Sequence, residues 1–154
     1  MIRALDPATG ALAPGDHRAT LEEIGGRFGF TSRRRWLLAG LRGAVTAFWA
    51  AGIEDIFIDG SSCTEKLDPR DVDGCRVEPD DGVYDRIDPY WIDFEMILVL
   101  QVRKWKWRTW VDHGVEFFIH PAMRAKLMVG FPEFFRQDRE GLPRGVIQVV
   151  GSES

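Results

Sequence analysis

Gly60-Ser61-Ser62 and the pair Asp71 and Asp73 are the residues whose types and spacing could do chemistry, with nine residues between Ser61 and Asp71. Glycine and small residues let backbone N–H groups approach a polyphosphate closely. Carboxylates supply the oxygen ligands that Mg²⁺ takes, usually one or two of them beside the phosphates. Two such ions about 3.5–4 Å apart can stabilise both the attacking and the leaving oxygen of a phosphoryl displacement. Asp71 and Asp73 could be ordinary solvent-facing strand residues, but two acids on one strand face repel each other unless something compensates, which favours a bound cation.

The elements around these residues must put them on one surface. Ile53 to Asp59 is a β-rich run whose centre, Ile56-Phe57-Ile58, reads as a buried strand that breaks at Gly60. A short helical turn over Thr64 to Lys66 and a loop over Leu67-Asp68-Pro69-Arg70 follow. Asp71 to Val77 alternates polar and apolar residues, the period of a strand, with Asp71 and Asp73 on one face and Val72 on the other. Their Cα atoms would lie about 6.5–7 Å apart, close enough to share a metal pair.

The rest of the chain reads as support. Residues 1–19, rich in Pro, Gly and Ala, form an extended arm. Thr20-Leu21-Glu22-Glu23 is a capping box that starts a short helix ending near Gly25-Gly26. A second helix starts after Ser32 and runs to about Ala51, its apolar face made of Trp36, Leu37, Leu41, Ala44, Val45 and Phe48; Gly52 stops it. Glu78 to Asp88 is a polar loop. The order of charges over 90–110, Asp93 and Glu95 first and Arg103, Lys104 and Lys106 last, predicts a helix opened by Pro89. Val115 to Ile119 is a strand, Phe131 to Arg139 a short helix, and Gly145 to Val150 a final strand. This order predicts a single α+β domain over residues 1–154, a mixed sheet with helices packed on it.

Other chemistry-bearing residues weigh less. Lys66 follows the small-residue loop and is within reach of a triphosphate, although a solvated lysine is the commoner role at such a place. Arg103, Lys104 and Lys106 interleave with Trp105 and Trp107, a pattern that suits nucleic-acid contact. A helix that packs its tryptophans inward and lets its cations snorkel accounts for the same pattern; a phosphate or acceptor contact from Lys104 or Lys106 is the minority role. Arg33-Arg34-Arg35 reads as a solvated helix start. His17, His113 and His120 are too scattered for a zinc triad, and Cys63 and Cys75 lack the spacing of a metal site or a nucleophile pattern.

Composition sets outer bounds. The chain has 154 residues, 45% hydrophobic and 29% charged, with a net charge of −4. That balance argues against a general DNA- or RNA-coating protein. No apolar run approaches the ~18 residues of a membrane span, and the N-terminus lacks the apolar stretch of a signal peptide. A reduced cytoplasm is the expected compartment.

Gly-Ser followed after nine residues by Asp-x-Asp resembles the signature of the DNA polymerase β-type nucleotidyltransferase superfamily, especially its minimal nucleotidyltransferase branch. Four segments resemble more closely a family of small uncharacterised bacterial nucleotidyltransferase-like proteins: Leu12 to Thr20, Ile58 to Lys66, Asp71 to Cys75, and Phe134 to Arg139 with Pro143 to Ile147. The resemblance implies a nucleotidyltransferase-like fold. Gly60, Ser61 and Ser62 would hold the β- and γ-phosphates of a nucleoside triphosphate, and Asp71 and Asp73 would bind Mg²⁺. Superfamily members add a third carboxylate on a neighbouring strand, which helps activate an acceptor hydroxyl; Glu116 is the well-placed candidate, one methylene longer than the usual Asp. Gly74 stands where the superfamily prefers an apolar residue. The implied activity is transfer of a nucleotidyl group to a protein or RNA hydroxyl, in a setting such as a toxin–antitoxin pair with a cognate partner protein. The alternative is a member of the same fold that binds without turnover, an antitoxin or partner subunit.

Overall fold

The structure is a computed structural model, and it describes residues 12–59, 69–77, 80–92, 95–120 and 145–151. The chain is a mixed α+β protein. A five-stranded sheet runs in the order β1-β7-β2-β3-β6. Its strands are β1 (Gly15–Ala19), β2 (Ile56–Asp59), β3 (Val72–Val77), β6 (Val115–His120) and β7 (Gly145–Val149). β2 pairs antiparallel with β3 and β7, whereas β1 pairs parallel with β7 and β3 parallel with β6. A separate antiparallel hairpin is made by β4 (Met96–Val99) and β5 (Lys104–Trp107). No described helix is long and apolar enough to cross a membrane.

Two helices cover one sheet face. α1 (Leu21–Phe28) begins at the capping box, where the Glu23 amide donates to the Thr20 hydroxyl and the Thr20 amide to the Glu23 carboxylate; it runs past Gly25-Gly26. α2 (Ser32–Ala50) takes Thr31 as its cap, one residue earlier than the sequence suggests. Leu37, Leu41, Ala44, Val45 and Phe48 of α2 are buried against Ile56, Ile58, Val72, Val115, Phe117, Ile147 and Val149 of the sheet. Gly52, at φ +88°, ends this segment in the left-handed region.

Several expectations need correction. The arm over 1–19 ends in a strand, since Gly15 to Ala19 add to the sheet edge beside β7. Trp36 is not part of the core; it is exposed, with the Arg33 guanidinium 4.6 Å from its ring centroid. Nor is the arginine run a solvated helix start. Arg34 is buried with its guanidinium against Phe28 and Phe30, Arg35 donates to the Gly29 carbonyl, and Arg33 donates to the carbonyls of Pro69 and Arg70. The polar stretch after Glu78 contains a short helix, α3 (Val83–Arg86).

The largest difference lies in 90–110. Pro89–Ile92 is a 3₁₀ turn, capped by the Asp88 carboxylate accepting from the Tyr90 amide at 3.0 Å. The hairpin follows, then α4 (Arg108–His113). Lys104-Trp105-Lys106-Trp107 alternates with the period of a strand, and its tight turn is closed by Arg103 at φ 53°. Glu95, assigned from sequence to a helix dipole, instead pairs with Arg108 across the open end of the hairpin. The helix expected over Phe131 to Arg139 and the turn over Thr64 to Lys66 lie outside the described residues.

Candidate metal centre

The sheet face away from α1 and α2 carries the acids. Register makes this unavoidable: Asp59 of β2 lies opposite Asp73 of β3, and Asp73 lies opposite Glu116 of β6. Residues directly opposite on neighbouring strands point to the same side, so three carboxylates stand in a row across three strands. Farther along this face, Phe57, Cys75 and Val146 form a small buried apolar cluster with Phe118 packed against it.

Asp71 joins the row from the residue before β3. Its backbone position is fixed on both sides. Arg33 holds the preceding carbonyls of Pro69 and Arg70, and the Val72 amide donates to the Gly114 carbonyl at 2.7 Å. Gly114, at φ +69°, closes α4 and lets the chain turn directly into β6. A side chain there would meet Leu37 Cδ2 at 2.4 Å, so the tight approach also requires glycine.

Asp71, Asp73 and Glu116 each offer a carboxylate oxygen, and these oxygens lie within 4.8 Å of one another. All three are half-buried. The Lys106 ammonium lies 3.4 Å from Glu116 Oε1 and 4.9 Å from the centroid of the Trp110 ring. Trp110 Nε1 donates to Asp71 Oδ2 at 3.0 Å. The hairpin is seated on the sheet by Trp107, whose ring is 5.2 Å from Phe118, two residues beyond Glu116 on the same face.

Two of these acids are pushed up from the ordinary carboxylate range. Burial, and then the neighbouring Asp71, Glu116 and Asp59 carboxylates, push the Asp73 carboxyl up to about 8, against the pull of Lys106. Burial also raises Glu116; Lys106 opposes that shift and Asp71 adds to it. Such a cluster is neutralised by protons or by a cation. A set made only of carboxylate oxygens suits a hard divalent ion, and the cluster could hold a metal ion.

Of the site residues expected from sequence, the structure brings Asp71, Asp73 and Glu116 together. Gly60, Ser61, Ser62 and Lys66 lie outside the described residues. Lys104 is exposed on β5 opposite Val99, and it is Lys106 that meets the acids. Gly74 has a local reason: a Cβ there would meet the Phe117 ring at 2.4 Å and the Phe57 carbonyl oxygen at 2.7 Å. The ring fills the space that an apolar side chain would take. Asp59 and Trp110 were not singled out in sequence. Asp59 ends the first strand next to the glycine, which was a usable signal; nothing in the sequence points to Trp110.

An all-carboxylate cluster on the face of the mixed sheet away from α1 and α2 defines this as an α+β protein with a candidate divalent-metal centre. The chain belongs to a family of unknown function, DUF6932, whose model matches residues 4–150. No curated protein and no solved structure matches it.

Proposed function

We propose that this protein is a Mg²⁺-dependent nucleotidyltransferase that moves a nucleoside monophosphate from a nucleoside triphosphate to a hydroxyl of a protein or RNA acceptor. The observation that carries this reading is the pairing of Asp73 with Glu116 on adjacent parallel strands, with Asp71 alongside. Two aspartates on one strand and a third carboxylate on its neighbour is the arrangement the sequence resemblance leads one to expect. The antiparallel strand before them, β2, ends at Asp59, directly ahead of Gly60-Ser61-Ser62.

The donor set fits Mg²⁺. Asp71, Asp73 and Glu116 would hold it, and the ion would neutralise the charge of the triphosphate. The protein's own part is positioning. Trp110 holds Asp71 in place, strand pairing fixes Asp73 beside Glu116, and Glu116 is the group that would accept the acceptor's proton. The nucleotide-binding role of Gly60, Ser61 and Ser62 belongs to the same proposal, as does a setting such as a toxin–antitoxin pair.

One observation favours a second reading, a member of this fold that binds without turnover. Lys106 already supplies a positive charge to Glu116, which a purely structural acidic cluster also needs. Labelling separates the two. Wild type is incubated with cell extract, Mg²⁺ and each α-labelled nucleoside triphosphate in turn. Label retained on a protein or RNA, and lost with Asp71→Asn plus Asp73→Asn, is the expected result. Triphosphate binding without label transfer under any of these conditions would leave only the binding role.

A further inference from the structure

Lys106 already gives its positive charge to Glu116, one of the three carboxylates that could hold a divalent ion. We infer that Lys106 is an exchangeable cation of this site: its ammonium neutralises Glu116 while the site lacks nucleotide, and moves to a phosphate oxygen when a metal-bound triphosphate arrives. This deepens the proposed function and rests on it.

The ammonium lies 3.4 Å from Glu116 Oε1, and the two side chains are only 21% and 13% exposed, so water screens the pair weakly. The same ammonium lies over the Trp110 ring, 4.9 Å from its centroid, while the edge of that indole donates to Asp71 at 3.0 Å. One tryptophan thus supports the lysine with its face and a metal-ligand candidate with its N–H. Lys106 is therefore built into the cluster rather than resting on the surface.

Electrostatics then favours movement once the triphosphate is present. A divalent ion held by Asp71, Asp73 and Glu116 places two positive charges beside the ammonium, in surroundings where charges interact strongly. Glu116 would then be shared between the ion and the ammonium. Lysine is a point charge on a flexible four-carbon stem, so its ammonium can move while its backbone stays fixed. Trp107 against Phe118 keeps the strand seated during that movement. The triphosphate brings several negative oxygens with the metal, and offers the ammonium a better partner than the carboxylate it leaves.

The consequence is a pair of effects with opposite sign. Lys106 opposes binding of a bare metal ion and favours binding of the metal–triphosphate. A lysine that only stabilises the fold would do neither selectively. The test measures Mn²⁺ affinity by titration calorimetry, and the affinity for a non-hydrolysable Mn²⁺–ATP analogue at saturating Mn²⁺, in wild type and Lys106→Met. Methionine keeps an apolar stem over Trp110, and melting in chelator reports whether the variant folds. Lys106→Met should bind Mn²⁺ alone about threefold or more tightly and the Mn²⁺–triphosphate about tenfold more weakly. Lys106→Arg should recover most of the triphosphate affinity. Shifts of the same sign, or no shift in either, in a folded variant would overturn the inference. If wild type binds neither Mn²⁺ nor the analogue, the proposed function falls and this inference with it. If wild type binds both, only the role of Lys106 is in question.

Discussion

Asp73 carries a proton at neutral pH when no cation is bound, because its pKa stands at about 8 under burial and the three neighbouring carboxylates. The folded chain keeps that proton up to about pH 8, whereas the unfolded chain releases it near the ordinary value of 3.8. The folded state therefore binds more protons across this window. Stability of the metal-free protein should be fullest below about pH 4 on this account, and should fall as pH rises to about 8. Glu116, also raised, acts in the same direction. Melting curves in chelator at several pH values should show this decline. Asp73→Asn should flatten it, and saturating Mg²⁺ should counter it by taking the place of the proton. Trp110→Phe tests the second fixed residue, since it keeps the ring under Lys106 and deletes the N–H that reaches Asp71. It should weaken metal binding by about tenfold, in the range seen when an outer-shell hydrogen bond is removed, with little change in melting temperature. Titration calorimetry with Mn²⁺ would check both parts of that statement. The paired aspartates were legible in sequence because their spacing is local. Lys106 was weighed in sequence only as a minority phosphate or acceptor contact, and its place beside Glu116, like the role of Trp110, became visible only through contacts that the hairpin and α4 bring about.

At the scale of elements, the site depends on β3 and β6 lying close and in register. Gly74 is where that closeness is most exacting, with the Phe117 ring on one side and the backbone of β2 on the other. The ring in turn packs edge-on against Phe48 of α2, centroids 5.0 Å apart. Gly74→Val should destabilise the protein by about 1–3 kcal/mol through overpacking, measured by denaturant unfolding. Adding Phe117→Leu should recover part of the loss and not all of it, because the Phe57 carbonyl cannot move aside. Four of the five strands of this sheet, all but β1, were readable from their apolar runs and alternation. The hairpin over 96–107 was not, for a physical reason. Its strands are four residues each, too short for a period to stand out, and its acids precede its bases as in a helix that answers its own dipole. What the charges in fact do is pair across strands, Glu95 with Arg108 and Lys106 with Glu116.

At the scale of the whole molecule, one side of the sheet joins segments far apart in sequence, β1 and β7, paired from Gly15 with Gly145 to Ala19 with Val149. Leu12 is buried just before β1, and His17 Nε2 donates to the Ala13 carbonyl at 2.7 Å. A pairing between segments so far apart leaves no local trace, which is why residues 1–19 read as an arm. Deleting residues 1–19 should lower stability by at least about 2–5 kcal/mol, the loss expected for buried Leu12 alone, and should promote self-association through the uncovered edge of β7. Denaturant unfolding and light scattering would report the two effects. Asp71, Asp73 and Glu116 should act as one metal centre, and a Mn²⁺ titration tests this most directly. Wild type should bind Mn²⁺ more tightly as pH rises toward 8, and Asp71→Asn, Asp73→Asn and Glu116→Gln should each lose most of that affinity while remaining folded. Folded variants that bind Mn²⁺ as well as wild type, or a wild type that binds none, would contradict it.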